Sequence, residues 1–146
     1  MKKFIVLLVL LAFTSICFAS ESGKNIPIKT GDDAVDQSLD DINSRIKTSS
    51  GAIEVKKEIK EKLSVTDREI NFLNKQGYTL AQIYYLASLA KASGKKVNDV
   101  AAMHSKGVGW GVLARRLGVR PDALRKLIVQ EKKTGKMMMR EKRKKK

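Results

Sequence analysis

Residues 79–94 read TLAQIYYLASLAKASG, and the fold follows from how this stretch starts, stops and distributes its side chains. Thr79 and Gln82 are three residues apart. At that spacing the threonine hydroxyl accepts from the third helical N–H, and the glutamine side chain reaches back to the N–H of the cap. Gly94 is free to take the left-handed backbone that ends a helix. Between these signals, Leu80, Ile83, Tyr84, Leu86 and Leu89 leave almost no polar face. A surface helix carries one apolar stripe, whereas a helix apolar nearly all round belongs inside. The stretch is therefore expected to form the centre of a helical core.

The same punctuation recurs on both sides. Upstream, Thr66-Asp67-Arg68-Glu69 is another capping box, opening a helix that runs to Gln76 before Gly77. Downstream, Val97, Val100, Ala101 and His104 form a stripe, with Asn98 as the expected cap and Gly107 as the stop. Trp110, Leu113, Ala114 and Leu117 form a short stripe closed by Gly118. Pro121 suits a first helical position, and Leu124, Leu127 and Ile128 line the last helix. Ile70, Leu73, Gly77, Leu80 and Ile83 recur 30 residues later as Val100, Met103, Gly107, Trp110 and Leu113. The pattern of helix, glycine stop, helix predicts two hairpins packed on each other. It falls short of a solenoid, which needs at least ~3 copies.

Further upstream, residues 52–63 read as a helix facing inward through Val55, Ile59 and Leu63, with Glu54/Lys57 and Glu58/Lys62 as pairs on the wet face. Thr48 to Gly51 separates it from a helix with Val35, Leu39, Ile42 and Ile46 on one face. Asp32 or Asp33 caps that helix, and Asp36 adds negative charge near the positive end of its dipole. These aspartates lack the Asp-x-Asp-x-Asp-Gly spacing of a calcium loop. Residues 20–31, with Gly23 and Pro27, read as a linker.

The N-terminus reads as a secretory signal peptide over residues 1–19. Lys2 and Lys3 precede an unbroken apolar run from Phe4 to Phe13, and small residues at Cys17 and Ala19 place the cut between Ala19 and Ser20. The 16 residues from Phe4 to Ala19, interrupted by Thr14 and Ser15, fall short of the roughly 20 apolar residues of a membrane-spanning helix. Thr14 and Ile16 do not suit a lipoprotein cysteine at Cys17. That cysteine is the only one, so a processed chain has no disulfide and no thiolate site.

The expected organisation is thus a leader (1–19), a linker (20–31), an N-terminal helical pair (32–63), a helical core domain (64–132) and a basic disordered tail (133–146). No segment beyond the leader alternates as a strand does. The fold class is all-α: a small multi-helix bundle containing two hairpins related by the 30-residue interval, with a helix-turn-helix-like C-terminal part.

Formal net charge is +15 over 146 residues. It is uneven: residues 20–50 carry −2, residues 51–130 carry +8, and residues 131–146 carry +7. Such a field attracts polyanions such as nucleic acid, lipid phosphates or acidic glycans.

Candidate chemistry is sparse. His104 is the only histidine, and no acidic residue stands at a telling spacing to orient it, so it reads as a core-edge residue and not as a base. No metal site of the usual ligands and no cofactor motif can be assembled. Gly107-Val108-Gly109-Trp110-Gly111 lacks the spacing and the Lys-Ser/Thr pair of a phosphate loop. Gly111 is the odd residue there: inside a helix, glycine costs about 1 kcal/mol relative to alanine, which signals close approach of another backbone or of a ligand.

Two resemblances meet at Trp110. The run WGVLARRLGVRPDAL from Trp110, preceded by Gly107 and Gly109, resembles the GxGWG-x-x-A-x-x-LGV segment of small exported all-helical bacterial proteins, and Gly31 to Asn43 resembles their N-terminal segment. That resemblance implies a helical fold and export, and carries no activity. Leu113, Ala114, Leu117, Gly118, Val119, Leu124 and Leu127 also stand where a helix-turn-helix places its packing residues and its turn glycine. It implies Arg120, Arg125 and Lys126 in a major groove, with Arg115 and Arg116 near phosphates.

The sequence therefore leads to a periplasmic or secreted, non-enzymatic helical protein that binds an anionic polymer or surface. Arg115, Arg116, Arg120, Arg125 and Lys126 are the expected contacts, with Lys142, Arg143, Lys144, Lys145 and Lys146 of the tail. No cofactor, no metal, no specific small molecule and no membrane anchor after cleavage are expected. The alternative is a helix-turn-helix-like nucleic-acid-binding protein.

Overall fold

The computed structural model describes residues 28–128, and these form seven α-helices and no strand. They are α1 (Asp33–Arg45), α2 (Ser49–Leu63), α3 (Asp67–Lys75), α4 (Leu80–Ser93), α5 (Val97–Ser105), α6 (Trp110–Arg116) and α7 (Pro121–Ile128). The leader with its cut at Ala19 and Ser20, and the tail with Lys142, Arg143, Lys144, Lys145 and Lys146, lie outside the described residues. Among the described residues no helix is long and apolar enough to cross a membrane.

α4 is the axis of the bundle, as its composition requires. Every residue from Ala81 to Ala90 is buried. The helix packs against α1, α2, α3, α5 and α7. Its two polar buried residues are satisfied locally. Gln82 completes the capping box with Thr79, and the Ser88 hydroxyl donates to the Tyr84 carbonyl at 2.8 Å. The core around it draws on Val35, Leu39, Val55, Ile59, Ile70, Leu73, Val100 and Leu113, each from a predicted stripe.

Both predicted capping boxes form, at Thr66/Glu69 and Thr79/Gln82. Gly77, Gly94, Gly107 and Gly118 all take positive φ at the turns they were expected to make. Local geometry recurs at the 30-residue interval. α3 and α5 are each nine residues long, and Gly77 and Gly107 have φ of 90° and 89°. The recurrence stops at the second helix, where α4 has 14 residues and α6 has seven.

Three local expectations are revised. α2 starts at Ser49 and not Ala52, because Thr48 caps it by accepting from the Gly51 N–H. α5 starts at Val97, capped by Lys96 backbone without a side-chain bond. Asn98 therefore sits inside the first turn and is exposed, since burial of Val97 and Val100 fixes the helix start. On the wet faces, Glu54 and Glu58 of α2 both reach Arg45 at the end of α1, at 3.4 and 2.6 Å. Glu58 raises the Arg45 pKa through that hydrogen bond. Lys56 and Lys60 grip Asp67 at 3.1 and 2.5 Å and so tie α2 to the start of α3.

Residues 28–31, read as the end of a linker, are docked. Ile28 is buried, and Asp36 accepts from both the Thr30 N–H (2.8 Å) and its hydroxyl (2.6 Å). Asp36 is therefore used to anchor this segment as well as to sit in the first turn of α1.

Candidate functional site

α6, the Gly118 turn and α7 carry the predicted basic residues. Leu113, Val119, Leu124 and Ile128 face inward, which fixes the register of the pair. α7 lies on α1 and α4. All five expected contacts on these helices (Arg115, Arg116, Arg120, Arg125 and Lys126) are exposed. They are not equivalent. Arg125 donates from Nε to both Asp32 oxygens, at 2.9 and 3.3 Å. Asp32 is the N-cap of α1, where it also accepts from the Ala34 and Val35 N–H groups. Arg125 thus clamps the start of α1 across 93 residues of chain. The bond uses its Nε–H and leaves only the Nη donors for a ligand. Arg120 lies 3.9 Å from Asp122, with both side chains largely in solvent, where such a pair contributes ~0–1 kcal/mol. Arg115, Arg116 and Lys126 have no acidic partner among the described residues. Arg115 and Arg116 also sit in the last turn of α6, on the negative end of its dipole.

Beside this face lies a cleft of about 420 Å³, bounded by residues 30–32, α6 and the start of α7. Tyr85, Ala114, Val119 and Leu124 contribute its apolar wall, and Arg115 and Val112 line it from exposed positions. Gly111 lines it too, and its place explains the glycine. A Cβ there would stand 2.7 Å from the Thr30 carbonyl oxygen. The close neighbour is backbone of the docked N-terminal segment.

The rings behind the cleft form one cluster. His104 stacks on Trp110 with centroids 3.6 Å apart and planes 24° apart. Tyr85 and Tyr78 meet Trp110 edge-on, at 5.8 and 6.4 Å. The Tyr85 hydroxyl donates to the Trp110 carbonyl at 3.3 Å. Tyr78 Oη lies 3.1 Å from His104 Nδ1 and 3.3 Å from the Ala101 carbonyl. Both contacts are satisfied when Nδ1–H donates to Tyr78 and the phenol donates to Ala101. Burial raises the pKa of both tyrosines, with Asp36 and Asp32 adding to it at Tyr85, so both remain phenols. No carboxylate among the described residues contacts the histidine ring, and none of them form a group of three or more ligands able to hold a metal.

Burial also lowers the His104 pKa below its ordinary 6.5. Between that folded value and 6.5 the unfolded chain binds the extra proton, so stability is lost as pH falls through this window. Denaturation midpoints measured between pH 7.5 and 5 should therefore drop, and a His104→Gln variant should show a flatter profile. Equal profiles would mean that the ring titrates as it does in water.

The sequence placed His104 at the core edge, where it lies, and the expected basic residues are on the surface. Sequence reasoning missed the Arg125–Asp32 clamp and the cleft, which depend on α7 crossing α1. No protein-family model, curated protein or solved structure matches this chain.

Proposed function

We propose that this is an exported, non-enzymatic helical protein, periplasmic or secreted, that binds an anionic polymer or surface through the basic face of α6 and α7. The observation that carries this reading is that Arg115, Arg116 and Lys126 are exposed without an acidic partner among the described residues, and that Arg120 has only a weak one. Exposed, unpaired cations draw a polyanion without first breaking internal bonds. The leader, the resemblance to small exported helical proteins and the tail residues Lys142, Arg143, Lys144, Lys145 and Lys146 support the same reading. Arg125 contributes less, because it is committed to Asp32.

The test is a salt titration against duplex DNA, lipopolysaccharide and anionic vesicles. Exchanging Arg115, Arg116, Arg120 and Lys126 for glutamine should flatten the slope of log affinity against log salt on DNA by up to about 3.6, at about 0.9 per lost phosphate contact. Deleting residues 132–146 should flatten it further. If the tail deletion alone abolishes binding, the α6–α7 face is not the site. No binding to any of the three sinks the proposal.

The α6–turn–α7 geometry also supports a second reading, a helix-turn-helix-like nucleic-acid binder. That reading requires a preference among duplex sequences that survives high salt.

A further inference from the structure

We propose that the cleft beside Gly111 binds a single-chain amphiphile with one anionic head. Its volume, about 420 Å³, falls within the ~300–1,000 Å³ of small-molecule sites. The wall is apolar: Tyr85, Ala114, Val119 and Leu124 bring ring, methyl and branched side chains from three helices and a turn. Val112 is one of three large apolar side chains exposed among the described residues, and it lines this same cleft.

The polar groups around the cleft are almost all used. The Thr30 hydroxyl donates to Asp36. Asp32 caps α1 and is held by Arg125. The Tyr85 hydroxyl is given to the Trp110 carbonyl. Pro121 has no N–H to offer. The one lining group with a free charge is the Arg115 guanidinium, whose fork suits a carboxylate. A sugar or other neutral polar ligand would find few donors, whereas an alkyl body with an anionic head matches both the wall and the single cation. The inference does not rest on polymer binding by the α6–α7 face. Arg115 serves both, but Arg116 lies outside the cleft lining and separates them.

Trp110 is the only tryptophan and lies against Tyr85 of the cleft wall, so its fluorescence is a single-site readout next to the cleft. The full chain is titrated with octanoate, decanoate and dodecanoate below their micelle concentrations, and with decanol. Saturable changes are expected, tightening about fourfold per added methylene until the chain fills the space. Decanol should bind up to about fivefold more weakly than decanoate, the loss expected for an ion pair with an exposed guanidinium. Arg115→Gln should bring decanoate to the level of decanol, while Arg116→Gln leaves both unchanged. Circular dichroism checks that each variant is folded. Equal binding of acid and alcohol, an equal effect of the two substitutions, or the absence of saturation would overturn the proposal. So would a Trp110 signal that changes on dilution without ligand, since a second copy would then fill the cleft.

Discussion

Trp110→Ala should lower the unfolding free energy by about 3 kcal/mol, the lower end of the range for removing a large aromatic from a core. The ring is half-buried, so its transfer term is smaller than that of a fully enclosed tryptophan. Against that, it stacks on His104 and takes edge contacts from Tyr78 and Tyr85, and each aromatic pair contributes about 0.5–1.5 kcal/mol beyond its buried area. Truncation also leaves the Tyr78–His104 pair without a ring to lie against. Urea denaturation is the measurement, with Trp110→Phe as the companion that keeps most of the contact. A loss below ~1 kcal/mol would mean that the ring does not hold α5 to α6.

Gly111→Val should be nearly as damaging, at about 2–3 kcal/mol, and Gly111→Ala less so. The glycine has ordinary helical backbone and no need of positive φ. Alanine there would even gain about 1 kcal/mol of helix propensity. What opposes it is the Thr30 carbonyl, 2.7 Å from the added Cβ, on a segment pinned by Asp36 and by buried Ile28. Valine adds two branches to the same collision. If both variants matched the wild type in denaturant, residues 28–31 would be yielding at no cost, and their docking would contribute nothing to the fold.

Most of the architecture was legible because its signals are local. The composition of residues 80–93 placed α4 inside, and the structure buries it from Ala81 to Ala90. Capping boxes and glycine stops set helix ends within a turn, since each depends on bonds between residues three to five apart. Asn98 misled because a good capping residue loses to the burial of Val97 beside it. Gly111 gave a true signal of close approach without naming the partner, which comes from 81 positions upstream. The Arg125–Asp32 clamp had no local signal. Asp32 read as a cap, which it is, and Arg125 as a free cation, which it is not. The cleft was illegible for the same reason: its walls come from three separated stretches that meet only when α7 lies on α1 and α4.

Compartment decides between a polyanion binder of the cell envelope and a reader of chromosomal DNA, because the same arginines serve either. N-terminal sequencing of the protein from fractionated cells tests this most directly. The expected result is a chain beginning at Ser20, recovered outside the cytoplasm. An intact chain beginning at Met1 and sedimenting with the nucleoid would contradict it.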